Sequence, residues 1–336
     1  MKLQSWLKLV GFSLGAFASA KAVSSFLPER FPSLDRPVSQ IISQPIVAER
    51  SKWPEIDVSF LRCGTIQVPE AIAIRGGSLL KTRTNTLGVV LIRHPRGTFL
   101  YDTGLSTMVN RYLPDTPFLF RHTLAAFDFE QSLQSHLRFR GLQPRDLDFA
   151  LISHLHWDHV GGVPDLPGVK LLVNQVEYAA WQARSGSLKN TFELIENLLD
   201  DNPIEQFRCE GPNYEGFRSS YDLFGDGSVV LVPLPGHTPG NTGMFINRSN
   251  GSRLFLLGDA VWCSQNYQYP ATMHPLIWRE VTSDDATARQ TLLDLHHFAL
   301  RHPEISMIAM HDAEVQDRWM VVENSDVRSL LPGKSR

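Results

Sequence analysis

The ten residues Ser153–Gly162, SHLHWDHVGG, follow directly on the apolar run FALI at 149–152. A short apolar run of this kind reads as a buried strand, so the histidines sit where its C-terminal end turns towards a helix, the place where α/β folds bind ligands. In extended backbone, residues two apart point the same way. His154 and His156 therefore present two imidazoles together, while Asp158 and His159, after the turn, aim elsewhere. Gly161 and Gly162 permit the tight backbone this crowding requires. Imidazole and carboxylate without thiolate favour zinc or a similar borderline divalent ion. A loop this short cannot close a coordination shell, so the chain must fold in a way that brings further ligands to it.

Three other apolar runs end on a suitable residue. VPLPGHTPGN puts His237 after a strand, LFLLGDAV puts Asp259 after another, and SMIAMHD puts His311 after a third. Convergence of these ends on one sheet edge would complete the shell. The other histidines, 94, 122, 136, 274, 296, 297 and 302, lack this setting and are expected on surfaces or helices.

The rest of the pattern supplies sheets for these ends to belong to. Strands are expected over 56–68, 87–94 and 97–104, with a hairpin hinged at Pro95-Arg96-Gly97. A helix within 130–140 stops at Gly141, and the strand through 147–154 follows it. A second helical stretch is expected through 171–184 and 190–201, closed by Pro203. Strands return at 228–237, 242–248 and 253–261, and a helix over 284–302 precedes a last strand at 305–312. No Pro/Gly/Ser linker divides the two strand groups, which favours one α/β domain built from two sheet halves. With 43% hydrophobic and 20% charged residues, the chain can bury such a core.

Residues 1–22 carry Lys2 and Lys8 around the start of an apolar run, Leu9–Ala20, ending in small-x-small cleavage sites. They read as a secretory signal peptide, so the protein is expected to be exported, periplasmic or secreted. The alternative is an N-terminal membrane anchor, for which the run is short of the ~20 residues of a span. Residues 23–55, with scattered prolines, read as a linker or arm, leaving 56–336 as the folded domain. Three cysteines without a C-x-x-C motif supply no disulfide framework. A net charge of −3 and a pI near 6.5 give no positive field for phosphate backbones, so nucleic acid is not expected as a partner.

Together, H-x-H-x-D-H, P-G-H-T-P-G, G-D and a histidine after the last strand resemble the pattern of the metallo-β-lactamase-fold hydrolases, over nearly all of the chain after about residue 56. The segment FLYDTGL resembles that superfamily's D-T-G element. The resemblance implies an α/β fold, a four-layer αβ/βα sandwich. It also implies that His154, His156 and His237 hold one zinc and Asp158, His159 and His311 another, with Asp259 bridging and Asp102 supporting a ligand histidine. Two zinc ions ~3.5–4 Å apart would activate a bridging hydroxide, and Asp158 or Asp259 could pass a proton to the leaving group.

Within the superfamily, LIRHPRGTFLYDTGL and SHLHWDHVGG are most similar to the N-acyl homoserine lactonase group, which opens the lactone ring of quorum-sensing signals. That group usually carries tyrosine three residues after the bridging aspartate. Here the position is Trp262, whose indole donates a hydrogen bond but cannot accept one or exchange a proton. Tyr267 and Tyr269 are candidates for the missing hydroxyl, and the aromatic-rich stretch 112–129 for an apolar wall around the substrate. The expected partners are a small-molecule lactone or ester and, as one option, a second copy of the chain; membrane contact is expected only with an uncleaved N-terminal segment. Alternatives are a relative acting on organophosphate, aryl ester or thioester substrates and, in a different class, a non-catalytic metal-stabilised binding protein.

Overall fold

Strands β1 (Asp57–Pro69), β2 (Thr82–His94) and β3 (Gly97–Tyr101) form an antiparallel meander, with His94 paired to Gly97 across the expected Pro95-Arg96 link. The structure is a computed structural model and describes residues 25–29, 31, 52–113, 126–185, 191–199 and 202–320. Along β1 the side chains alternate: Val58 and Phe60 pack to one side, Leu61 and Cys63 to the other. The sheet continues on one side with β4 (Asp128–Phe129) and on the other with β5 (Phe149–Ile152), β6 (Leu171–Asn174) and β7 (Ile204–Phe207). A second sheet runs β12-β11-β10-β9-β8, from β8 (Tyr221–Asp222), β9 (Val229–Pro233), β10 (Thr242–Asn247), β11 (Arg253–Leu256) and β12 (Ile305–Ile308).

The two sheets face each other through one apolar layer that includes Phe60, Phe99 and Leu151 from the first and Leu231, Met244 and Leu256 from the second. The outer face of the first sheet is covered by helices α1 (Leu133–Phe139), α2 (Trp157–Val160), α3 (Gln175–Gln182) and α4 (Phe192–Leu199). The second is covered by α5 (Ser264–Gln268), α6 (Pro275–Val281) and α7 (Asp285–Arg301). The result is the four-layer αβ/βα sandwich that the resemblance implied, and it agrees with the two strand groups.

One expectation is corrected. The stretch 171–184 is not helical throughout: Leu171–Asn174 is β6, and the helix starts at Gln175. All four β6 residues are buried between β5 and β7. A short run buried on both faces has no period to distinguish strand from helix, and the parallel pairing decides for strand. The arm expected over 23–55 is in part docked. Glu29 lies between Arg75 at 2.7 Å and Arg289 at 2.9 Å, and Phe31 packs into the core layer under α7. Residues 1–22, expected to be a signal peptide or anchor, lie outside the described residues, as do 321–336; no helix among the described residues is long and apolar enough to cross a membrane.

Strand directions set the site. β3, β5, β6 and β7 are parallel, and β9, β11 and β12 share one sense. The two sheet edges are tied through Thr242, whose N–H donates to the Ser153 carbonyl (3.0 Å) and whose carbonyl accepts from the Tyr101 hydroxyl (2.7 Å).

Candidate metal centre

His154 and His156 follow β5, Asp158 and His159 lie on the one-turn helix α2, His237 follows β9, Asp259 follows β11 and His311 follows β12. The fold brings all seven together. His156 Nδ1 lies 3.1 Å from His154 Nε2 and 2.9 Å from His237 Nε2, so three ring nitrogens converge on one point. Asp158, His159 and His311 form a second group, with Asp158 Oδ2 at 3.8 Å from His159 Nε2 and 3.5 Å from His311 Nε2. Asp259 stands between the groups. Its Oδ2 is 2.9 Å from His311 Nε2 and 3.5 Å from His237 Nε2, and its Oδ1 is 3.2 Å from His159 Nε2.

These residues fit a divalent metal on three counts. Nitrogens sharing a tetrahedral zinc at ~2.0–2.1 Å lie roughly 3.3 Å apart, near the spacing of the first trio. His159 Nε2 and Asp259 Oδ1 are both buried and face each other without forming a hydrogen bond, an arrangement that costs free energy unless a third group satisfies them. Neither site contains a thiolate or lysine, so the donor set, imidazole and carboxylate, suits zinc or a similar borderline divalent ion.

The electrostatics divide in the same way. Burial drives the His154 and His156 imidazoles well below their ordinary range and pulls His237 down to about 4, so the first trio offers neutral lone pairs. Burial acts likewise on His159, but Asp259, Asp102 and Asp158 outweigh it and hold the imidazole well above its usual value. At His311, burial is overcome by Asp259 and Asp158. Burial would raise Asp259, yet the facing His311 and His159 keep it well below the usual carboxylate range. This negative potential around the second group favours any cation placed there.

Support comes from behind. His159 Nδ1 lies 2.8 Å from Asp102 Oδ2, and Asp102 also accepts from the Ser153 N–H (2.7 Å) and hydroxyl (2.9 Å). His311 Nδ1 donates to the Thr86 carbonyl at 2.7 Å. Both hydrogen bonds place a proton on Nδ1, so that each ring, once neutral as a metal ligand must be, turns its Nε2 lone pair towards the cluster. Gly162 is forced by the same crowding, since a Cβ there would stand 2.0 Å from the Thr103 carbonyl oxygen.

The expected substrate contacts fare unevenly. Trp262 reaches the cluster: its Nε1–H donates to Asp259 Oδ2 at 3.1 Å and its ring meets His311 edge-on at 5.7 Å. Its other side packs on Met273, Trp278 and Val281. Tyr267 does not reach it, because its hydroxyl is turned into the core towards the Met307 carbonyl (3.4 Å), and Tyr269 is 73% exposed to solvent. Neither supplies the hydroxyl expected of it. Of the aromatic-rich stretch 112–129, residues 114–125 lie outside the described residues; Phe127 meets Trp157 of the motif in a tilted contact, ring centroids 5.5 Å apart. One residue that the sequence did not single out also touches this region. Glu177 hydrogen-bonds the backbone of two ligand-bearing segments, and only its isolation among apolar neighbours in α3 could have marked it.

Comparison with known proteins gives a consistent picture. The family description "Metallo-beta-lactamase superfamily" matches residues 89–290. A protein of Mycobacterium tuberculosis named "Probable metallo-hydrolase" is 28% identical over 282 residues, covering 80% of this chain and 84% of that protein. An N-acyl homoserine lactonase of Bacillus cereus is 27% identical over 180 residues, 53% of this chain and 65% of that protein. A solved N-acyl homoserine lactone hydrolase, with the product N-hexanoyl-L-homoserine at its catalytic metal center, matches with a TM-score of 0.61 at 18% identity, over 79% of this chain and 96% of that one. At that identity the likeness speaks for the fold.

Proposed function

This chain belongs to the metallo-beta-lactamase superfamily, and from that premise we propose that it is a dinuclear-zinc hydrolase that opens lactone rings, with N-acyl homoserine lactones as its substrate class. The observation that carries the reading is Asp259, which stands between the two histidine groups: Oδ1 lies 3.2 Å from His159 Nε2, and Oδ2 lies 2.9 Å from His311 Nε2 and 3.5 Å from His237 Nε2. His154, His156 and His237 would hold one ion; Asp158, His159 and His311 the other; Asp259 would serve both. Bound there, the ions would lower the pKa of a shared water towards neutrality and polarise the substrate oxygen.

The remaining work falls to the chain. Burial lifts the Asp158 carboxyl above its usual range, so this group, which with His156 is only partly buried, is suited to carry a proton to the leaving alkoxide. Asp102 and the Thr86 carbonyl orient His159 and His311 before substrate arrives. Trp262 fixes Asp259 through its indole N–H and meets His311 edge-on.

Metal analysis and a substrate panel test the proposal. About two zinc ions per chain are expected, with turnover of long-chain acyl homoserine lactones that collapses in His154→Ala and Asp259→Asn. Protein that takes up no metal after supplementation overturns it. A second reading, aryl esters or organophosphate triesters as substrates, draws on Trp262, because these have better leaving groups and depend less on a hydroxyl at that position. Their turnover far above that of every lactone would decide for it. Binding of metal with no turnover of any panel member would favour a non-catalytic binding protein. We also propose export directed by residues 1–22; N-terminal sequencing of the mature protein checks it.

A further inference from the structure

Glu177, in the first turn of α3, is fully buried. Its Oε1 accepts from the Leu155 N–H at 2.8 Å and its Oε2 from the Gly240 N–H at 2.9 Å. Leu155 stands between His154 and His156, and Gly240 lies three residues beyond His237. One carboxylate thus joins the two backbone segments that deliver the first trio of imidazoles, one from the end of β5 in the first sheet and one from the end of β9 in the second.

The clasp has a firm base. Asn174 caps α3 by accepting from the Val176 N–H (2.9 Å) and donates to the Thr242 hydroxyl (3.1 Å), so the start of the helix is itself tied to the second sheet. The approach leaves no room to spare: a Cβ on Gly240 would stand 2.3 Å from the Glu177 backbone nitrogen. The second glycine of P-G-H-T-P-G is therefore required by the first turn of α3 pressing on it. A shift of either segment would lengthen one of the two hydrogen bonds and move one part of the trio relative to the other.

We infer that Glu177 is a positioning residue for the His154–His156–His237 trio, setting the spacing of those imidazoles across the two sheets. The inference rests on the reading that this trio holds a metal ion. A carboxylate accepts at both oxygens, whereas the amide of Glu177→Gln keeps one acceptor and turns an N–H donor towards the other backbone N–H. The substitution keeps size and loses one arm of the clasp.

The test compares full-length wild type, Glu177→Gln and Glu177→Asp by zinc dissociation constants from chelator competition, the visible spectrum of the cobalt-substituted protein, and melting temperature. Wild type should bind two ions. Glu177→Gln should bind one of them about 10–100-fold more weakly, with altered cobalt ligand-field bands and activity that recovers in excess zinc. If Glu177→Gln does not fold, Glu177→Asp, which keeps the charge but shortens the reach, is judged by the same two metal readouts. Unchanged affinities and cobalt spectrum, even with a lower melting temperature, overturn the inference and leave Glu177 a purely structural tie. A wild type that takes up no zinc overturns the functional reading instead.

Discussion

Asp102 Oδ2 lies 2.8 Å from His159 Nδ1, beneath the cluster, and the aspartate occupies the left-handed region with φ at 61°. Asparagine tolerates that conformation, so Asp102→Asn removes the charge without straining the turn. We expect kcat/KM or zinc affinity to fall about 10–100-fold, with little change in fold by circular dichroism. Steady-state kinetics with metal analysis on the same preparation measures it, and wild-type values would remove Asp102 from the supporting shell.

Trp262→Phe keeps an aromatic ring against Met273 and Trp278 but deletes the donor to Asp259. A hydrogen bond to a charged group contributes about 1.5–3 kcal/mol, so turnover should drop roughly tenfold or more while the metal content stays constant. Unchanged turnover would show that the indole N–H plays no part in the chemistry.

Acid should destabilise the fold partly through His94. Its ring stacks on Phe224 with centroids 4.0 Å apart, Nδ1 accepts from the Arg96 N–H, and Nε2 faces the Ser228 hydroxyl. Burial lowers its pKa, against the pull of Asp226 and with the help of Arg96. The unfolded chain therefore takes up this proton first as the pH drops below ~6.5, and the stability is present above that value and lost below it. Urea denaturation at about pH 7.5 and 5.5 should show a larger loss for wild type than for His94→Gln; equal losses would contradict the assignment.

Glu29 anchors the N-terminal arm between Arg75 and Arg289. Removing one partner of a buried ion pair costs about 3–5 kcal/mol. The two arginines keep 23% and 32% of their side-chain exposure and can rehydrate, so Glu29→Gln should cost a smaller amount, about 1–3 kcal/mol. Urea midpoints measure this. No change would mean that the arm contributes nothing to the stability of the domain.

Most of the candidate site is legible in the chain because each residue ends an apolar run, a local signal that needs no neighbours. His237, Asp259 and His311 all stand in that position and all join the cluster. Tyr267 and Tyr269 stand close to Trp262 in sequence, but closeness in sequence does not bring their hydroxyls to the cluster. α5 turns one ring into the core and the next out to solvent, a direction set by helix phase and packing. Leu171–Asn174 misled for a related reason: its strand character comes from partners on both sides.

Residue type and order alone determined which groups can bind metal and which strands carry them, since ligand chemistry and the apolar runs are properties of short segments. The tertiary structure decided what those groups can do together. Glu177 clasps two segments more than eighty residues apart, Asp102 orients a histidine on the helix that follows another strand, and Trp262 finds its partner in Asp259. Hydrogen bonds act over about 3 Å; pairing β3 beside β5 brings Asp102 to His159, and only packing the two sheets face to face brings Glu177 within that range of both Leu155 and Gly240.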